Sequence, residues 1–219
     1  MIRAVAYDVD GTLYSLWPMR YLMAWEIFTA LVRRPRRIWH EMRICRIYRR
    51  LLHGLRGTSV ADPPVEDPQL HATAKKLGVD ADEIRAIVHE WVARRPLRFL
   101  RRLAYPHVLR GIHALHRAGV PQGVYSDYPP RSKLEAMGID GCMKAVVWSG
   151  ERQVGQFKPS PRGFLRTAEL LGIEPAEVLY VGDRDGIDGA GARAAGMQFL
   201  HVRRATPGRI GEMLGRSLL

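Results

Sequence analysis

The chain has 219 residues, of which 47% are hydrophobic and 26% are charged. This length allows one large domain or a core with a smaller accessory domain, and this composition excludes wholesale disorder. The formal net charge of +12 is unusual, and only five of the 34 basic residues are lysines. Such a charge favours an anionic substrate, nucleic acid or an acidic membrane surface as the partner. An arginine-favouring coding bias is the alternative.

The first predicted element is a short buried strand, Ala4–Asp8, and the chain continues as Asp8-Val9-Asp10-Gly11-Thr12-Leu13. Two carboxylates beside a buried strand are costly unless they are paired or bind a cation. Gly11 permits a sharp turn that exposes backbone N–H groups to an anion. Asp8 and Asp10 can share Mg²⁺ through oxygen ligands, and one can attack phosphorus while the other moves a proton. An acidic turn that only caps the strand is the alternative.

Residues 15–104 show helical periodicity without a convincing strand, which predicts an all-helical cap inserted after the first strand. The stretch 13–32 is mostly apolar, but charges and a proline interrupt it. We therefore expect an amphipathic helix packed on protein rather than a membrane span. Asp80 is expected to cap a helix, and the proline-rich stretch 57–68 to form a loop. The predicted helices are Tyr21–Val32, Ile38–Leu52, Gln69–Leu77 and Asp82–Arg94.

One part of the predicted cap is strongly basic and contains a single acid, Glu41. Apolar residues recur through it at helical spacing, so we expect one buried face and one positive face. The positive face is expected to attract a highly charged substrate first, an acidic membrane surface second and nucleic acid third. A solvated charged face is the alternative. The arginines are Arg33, Arg34, Arg36, Arg37, Arg43, Arg46, Arg49, Arg50 and Arg56.

Strands and helices alternate through the rest of the chain, which predicts an α/β fold with a Rossmann-like parallel sheet. The sheet domain is expected to comprise residues 1–14 and 105–219. Its helices are expected at Val108–Ala118, from Ser160 to Leu171, and at Gly189–Ala195. The further strands are Gln122–Ser126, Ala145–Trp148, Val178–Gly182 and Gln198–Val202.

Polar residues that could carry chemistry follow these strands, where open parallel sheets bind their ligands. Ser126 ends one strand, and Lys158 precedes a predicted helix and offers a positive charge to a phosphate. Asp183, Asp185 and Asp188 crowd one tight loop and can join Asp8 and Asp10 around a metal ion. Each of these features has an alternative interpretation without a catalytic role. Ser126 could cap a turn, Lys158 could be a solvated surface lysine, and the aspartates could form a solvated acidic turn.

Together these segments resemble the haloacid dehalogenase-like superfamily of phosphohydrolases, whose four motifs follow strand ends in this order. The resemblance implies that Asp8 is the nucleophile, Asp10 the general acid/base, and Ser126 and Lys158 the catalytic residues that hold the phosphoryl group. It implies a Mg²⁺ site formed by Asp8, Asp10, Asp183 and Asp188, with Asp183 the first choice as direct ligand and the choice between Asp185 and Asp188 open. The residues expected to bind a small anionic phosphorylated substrate are Gly11, Thr12, Ser126, Asp127 and Lys158.

Three other functions compete with a phosphatase that forms an aspartyl-phosphate. Dehalogenases of the same superfamily lack the second aspartate, so Asp10 speaks against them. A phosphomutase shares every catalytic residue and stays open, as does a binding protein with a basic cap and a vestigial core. Cys45 and Cys142 are far apart and lack a pairing pattern, which favours reduced thiols and a cytoplasmic location.

Overall fold

The structure, a computed structural model, describes residues 1–55, 68–204 and 206–215. Its sheet has five strands in the order β3-β2-β1-β4-β5, and every neighbouring pair is parallel. The prediction of a parallel α/β sheet is confirmed, with each strand bounded within one residue of its predicted limits. The strands are β1 (Ala4–Tyr7), β2 (Gln122–Ser126), β3 (Ala145–Trp148), β4 (Val178–Gly182) and β5 (Gln198–His201).

Both faces of the sheet are covered, as the continuous apolar strands require. Because side chains alternate along a strand, Val5 and Tyr7 of β1 point to one apolar cluster and Ala4 and Ala6 to the other. The first cluster includes residues of α6 (Pro106–Arg117), α7 (Arg131–Met137) and α10 (Pro207–Leu214), and the second includes residues of α8 (Arg162–Leu171) and α9 (Ala190–Ala194). Helices α7 and α10 were not predicted.

Strand β1 lies at the switch point of the sheet. The chain runs from β1 to β2 and β3 on one side, and then crosses to β4 on the other side of β1. Tyr7 is aligned with Val124 of β2 and with Val181 of β4. The segments after β1, β2 and β4 therefore leave the same edge of the sheet side by side, where such folds bind ligands.

The insertion after β1 is helical, as predicted, and packs around two small apolar clusters of its own. Several helices differ from their predicted limits: α1 begins at Leu16 rather than Tyr21, and α2 begins at Pro35 rather than Ile38. The predicted helix Asp82–Arg94 is α-helical only to Val88, continues as a π-helical segment at His89–Arg94, and runs on into α5. The helices are α1 (Leu16–Arg33), α2 (Pro35–Leu55), α3 (Pro68–Leu77), α4 (Ala81–Val88) and α5 (Arg95–Leu103).

The chain leaves the sheet and returns to it through two segments that pair with each other. The backbone N–H of Ser15 donates to Leu103 O at 3.0 Å, and that of Tyr105 donates to Leu13 O at 2.9 Å. This pairing lies at the predicted limits of the cap, which stay a prediction. Asp80 caps α4 as expected, since its carboxylate accepts hydrogen bonds from the backbone N–H groups of Asp82 and Glu83.

Helix α1 is packed on one side only, whereas α2 buries most of the apolar residues on its predicted buried face. None of the described helices is long and apolar enough to cross a membrane. The expected packing of α1 on protein is right for one face only, because its other face leaves large aromatic side chains exposed. In α2 the apolar residues Ile38, Ile44 and Tyr48 are buried as predicted. Arg56 and residues 57–67 of the predicted loop lie outside the described residues.

Both cysteines are buried and free. The cytoplasmic location that their spacing favours stays a prediction.

Candidate active site

Asp8 follows β1 directly and is almost completely buried, with 2% of its surface exposed. Its backbone N–H extends the pairing with β4 by donating to Val181 O at 2.9 Å. Its Oδ1 lies 2.6 Å from the Nζ atom of Lys158, and its Oδ2 accepts a hydrogen bond from Thr12 Oγ1 at 3.1 Å. Burial raises the pKa of the Asp8 carboxyl above its ordinary value, although the Lys158 ammonium opposes the rise.

Lys158 is fully buried at the centre of the site. Its Nζ donates to Asp8 Oδ1, to the phenol oxygen of Tyr180 at 2.7 Å and to Asp188 Oδ1 at 2.9 Å. Burial on its own would lower the pKa of Lys158, but the surrounding acids raise it well above the ordinary value. A permanently charged ammonium therefore stands between two carboxylates, where it can also offset the charge of a phosphoryl group.

The three aspartates of the acidic loop after β4 lie in different environments. Asp188 is fully buried, and its Oδ2 accepts from the backbone N–H of Arg184 at 3.1 Å. Burial acts to raise the pKa of Asp188, but the Lys158 and Arg184 cations outweigh it and hold the pKa below the ordinary value. Asp185 is turned away from the site, because the Arg193 guanidinium binds both of its carboxylate oxygens at 3.1 Å. Asp188, and not Asp185, thus lies beside Asp8.

Three carboxylates form a group that fits a hard cation. One oxygen from each of Asp8, Asp183 and Asp188 lies within 4.8 Å of the others. Asp183 Oδ1 is buried and makes no hydrogen bond, and burial raises the pKa of this carboxyl despite the nearby Arg184. Arg184 Nε lies 3.5 Å from Asp183 Oδ1, which is an ion-pair distance. An all-oxygen set that includes a carboxylate oxygen without a hydrogen bond suits Mg²⁺. The structure does not bring the Asp10 carboxylate, the fourth predicted ligand, into this group.

Asp10 instead lies against a lysine that sequence reasoning did not select. Its Oδ1 is 2.5 Å from Nζ of Lys133, and it also accepts a hydrogen bond from the phenol of Tyr14. Burial acts to raise the pKa of Asp10, but Lys133 and Tyr14 together hold it below the ordinary value. Asp10 is therefore an ionised carboxylate. Lys133 is buried in α7, 123 residues from its partner, so no local motif could have identified it.

The remaining predicted residues lie around this centre in different ways. Thr12 is fully buried and donates to Asp8. Ser126 is buried at the end of β2, where its Oγ accepts from the backbone N–H of Tyr128 at 3.3 Å. The Asp127 carboxylate accepts from the backbone N–H of Lys158 at 3.3 Å and from Ser149 Oγ at 3.1 Å. Both contacts are made by Asp127 Oδ1 and fix the Lys158 segment, while Oδ2 lies 3.9 Å from the Arg184 guanidinium. The binding of substrate by Asp127 stays a prediction.

One cavity adjoins the cluster of Asp8, Asp183 and Asp188, and a second is lined by Lys133, the partner of Asp10. One, of about 580 Å³, is lined by Gly11 and Asp183 together with cationic or titratable side chains from α1 and the core. The other, of about 460 Å³, lies between the cap and the core and is lined by Lys133 with Tyr48, Tyr128 and Trp148. The basic side chains of the first cavity are Arg20, His107, His201 and Arg203.

Proteins of similar sequence are hydrolases and phosphatases, which agrees with this arrangement of acids and lysines. A sequence profile of haloacid dehalogenase-like hydrolases matches residues 2–196. The chain is 29% identical over 207 residues to the glyceraldehyde 3-phosphate phosphatase of Methanopyrus kandleri, covering 93% of this chain and 85% of that protein. It is 31% identical over 205 residues to the phosphoglycolate phosphatase of Shigella boydii, covering 89% and 79%. The crystal structure of a phosphatase from Thermococcus onnurineus has the same fold, with a TM-score of 0.63, 22% identity and full coverage of both chains. With its profile match spanning most of the residues and its acidic centre at the edge of a parallel sheet, this chain belongs to the haloacid dehalogenase-like hydrolases.

Proposed function

We propose that this protein is a Mg²⁺-dependent phosphomonoesterase that forms an aspartyl-phosphate on Asp8 and acts on a small phosphorylated metabolite. The observation that carries the proposal is the contact of Asp8 with Lys158 beside the carboxylates of Asp183 and Asp188. The similarity to two phosphatases of small phosphorylated metabolites, over most of each chain, supports the substrate class. The metal would be held by Asp8, Asp183 and Asp188, and when bound it would neutralise negative charge on the phosphoryl oxygens.

In the first step an oxygen of the Asp8 carboxylate attacks phosphorus. A P–O bond to Asp8 forms, the P–O bond to the ester oxygen breaks, and the alcohol leaves with a proton. Lys158 reduces the repulsion between the nucleophile and the phosphate, and its three contacts hold it in place. Thr12 donates to the other oxygen of Asp8, which fixes the orientation of the carboxylate.

In the second step water attacks the phosphorus of the aspartyl-phosphate. The bond to Asp8 breaks, inorganic phosphate leaves, and Asp10 accepts the proton that the water loses. Asp10 suits this role because Lys133 and Tyr14 keep its pKa low and its carboxylate ionised. Because its pKa is held this low, Asp10 passes that proton on to the solvent, and the alcohol that leaves in the first step takes its proton from water.

The test is the hydrolysis of a panel of phosphorylated metabolites, with glyceraldehyde 3-phosphate and phosphoglycolate first, in Mg²⁺ and in EDTA. We expect Asp8→Asn to abolish turnover, since an amide is a poor nucleophile, while substrate binding and the fold remain. Asp185→Asn is the matched control, because Asp185 pairs with Arg193 outside the site. It should keep near wild-type rates.

Three results would contradict the proposal: activity of Asp8→Asn near that of the wild type, full activity in a metal-free preparation, or transfer of the phosphoryl group to a sugar phosphate without release of inorganic phosphate. The last result would identify a phosphomutase instead. Mass spectrometry of acid-quenched enzyme during turnover should find the added phosphoryl group on Asp8.

A further inference from the structure

One face of α1 is a row of large apolar side chains that nothing among the described residues covers. Its members recur at intervals of three or four residues, which places them on a single side of the helix. Each is between 55% and 70% exposed. A contiguous apolar surface of this kind marks an interaction site on a folded protein. We call this row the aromatic face; it comprises Trp17, Tyr21, Trp25, Phe28 and Val32.

The opposite side of α1 packs in the hydrophobic core. Met19 and Ala30 are buried, and Met23 and Ile27 pack against the cluster that α1 shares with α2 and Trp91. The aromatic face is therefore not needed for the core of the cap. Its rings also contact each other: the ring centroids of Trp17 and Tyr21, and those of Trp25 and Phe28, lie 5.8 Å apart.

Helices α1 and α2 carry an excess of positive charge, and neither of their two carboxylates is exposed. The described residues 16–55 contain only two acids. Glu26 is held by Arg95 and Arg98, and Glu41 is only 5% exposed. Helix α2, which packs on α1, exposes Trp39 and a set of arginines: Arg36, Arg43, Arg46 and Arg50.

We propose that α1 and α2 dock this protein onto the surface of an anionic lipid bilayer. The aromatic face would enter the headgroup region, where Trp and Tyr side chains are favoured, and the arginines would bind acidic headgroups. Between Tyr21 and Val32 the face exposes no charged side chain over about 18 Å of helix. This docking does not depend on the chemistry proposed for Asp8.

Charge argues against the two other occupants. If two copies paired symmetrically through this surface, arginines would face arginines with no exposed carboxylate between them. A single-stranded nucleic acid needs cations beside each stacked base to hold its backbone. The aromatic face has exposed arginines only near its ends, at Arg20 and Arg33.

Docking through α1 would also orient the enzyme. Trp17, at the start of the aromatic face, and Arg20 line the cavity that contains Gly11 and Asp183. The mouth of this cavity would then lie close to the lipid headgroups.

The experiment is flotation of the full-length protein with vesicles of phosphatidylcholine alone or mixed with phosphatidylglycerol. We expect binding to the mixed vesicles, little binding to phosphatidylcholine, and weaker binding as NaCl is raised, because screening shortens the reach of the arginines. The double variant Trp25→Ser/Phe28→Ser should bind at least about tenfold more weakly, since both rings lose apolar burial. Leu165→Ser/Leu170→Ser, on two exposed leucines of α8, is the matched control and should bind like the wild type.

A second pair of variants tests the charge. Arg36→Gln, Arg43→Gln and Arg46→Gln together should weaken binding more than the same loss of charge at Arg3, Arg117 and Arg209. Circular dichroism and hydrolysis of p-nitrophenyl phosphate in solution verify that each variant is folded.

The proposal is overturned if the wild type does not float with acidic vesicles, or if the serine variant of α1 floats equally well. It is also overturned if that variant instead loses a dimer seen by light scattering, or the binding of a single-stranded oligonucleotide.

Discussion

At the scale of single residues, the site depends on two buried lysines with separate partners. Lys158 contacts Asp8 and Asp188, whereas Lys133 contacts Asp10. Each ammonium group therefore contacts a different set of acids. Lys158 lies with the proposed nucleophile and metal ligands, and Lys133 controls the group proposed to move the proton.

This division predicts the effect of Lys133→Gln on the pH profile. Without the ammonium, burial dominates and the pKa of Asp10 rises. Asp10 accepts a proton only when ionised, so activity should be lost at a higher pH as the solution is acidified. The acid limb of kcat should move upward, and kcat at neutral pH should fall about tenfold or more.

Lys144→Gln is the matched control for this prediction. Its ammonium donates to the carbonyl of Leu171, at the C-terminal end of α8 and outside the site. The control should leave the acid limb of kcat in place. A Lys133→Gln profile that superimposes on the wild type would show that Lys133 does not tune Asp10.

At the scale of elements, the loop after β1 joins the nucleophile to the acidic loop after β4. Gly11 has a φ of +98°, and a Cβ atom there would lie 2.5 Å from Asp183 Oδ2. We therefore expect Gly11→Ala to displace Asp183 and weaken Mg²⁺ binding. The measurement is the rise of Tm on addition of Mg²⁺, which should shrink together with activity.

The Gly78→Ala variant is the control that measures the effect of backbone strain without a steric clash of the new Cβ atom. Gly78 also has a positive φ, +63°, but among the described residues nothing beyond its own chain neighbours lies within 4 Å of a Cβ placed there. This variant should lose about 1–2 kcal/mol of stability from strain alone and keep the full response to Mg²⁺. Equal loss of the Mg²⁺ response in both variants would rule out the contact with Asp183 as its cause.

Within the cap, Glu41 joins α2 to the π-helical segment. Its buried carboxylate accepts from Trp91 Nε1 at 2.7 Å and from Arg37 Nε at 2.8 Å. Glu41→Ala would leave the indole N–H buried without this partner, so we expect a loss of about 1–3 kcal/mol in urea unfolding. Glu83→Ala removes an exposed pair with His40 and should cost about 0–1 kcal/mol. If the two variants lose equal stability, the buried contact has no special role.

Strands β1, β2 and β4 could be predicted because each is a short run buried on both sides. The edge strands β3 and β5 are only partly buried, but they are still short runs rich in apolar residues. The short helix α7 could not, since seven residues give too little periodicity, and Lys133 was missed with it. The predicted helix ended at Arg94, but the chain stays helical into α5, because Pro96 lies in the first turn of α5, where prolines are tolerated. Periodicity also could not tell which side of α1 is packed, because α1 is apolar on both sides.

At the scale of the whole molecule, the net charge of +12 should attract an anionic substrate from a distance. Under the proposed function, kcat/KM should fall as ionic strength rises while kcat stays constant, because charges are screened beyond about 8–10 Å near physiological salt. The initial rates of phosphoglycolate hydrolysis at increasing NaCl measure this dependence.

The position of a positive charge, and not only the net charge of the molecule, should affect kcat/KM. Arg20 lines the cavity next to Gly11 and Asp183, whereas Arg117 is exposed at the end of α6. Both Arg20→Gln and Arg117→Gln remove one charge from the molecule. Because a nearby charge acts more strongly on an arriving anion, Arg20→Gln should lower kcat/KM at low salt and flatten its salt dependence much more than Arg117→Gln. Equal effects of the two substitutions would mean that only net charge attracts the substrate, and a wild type insensitive to salt would mean that its arginines do not steer substrate at all.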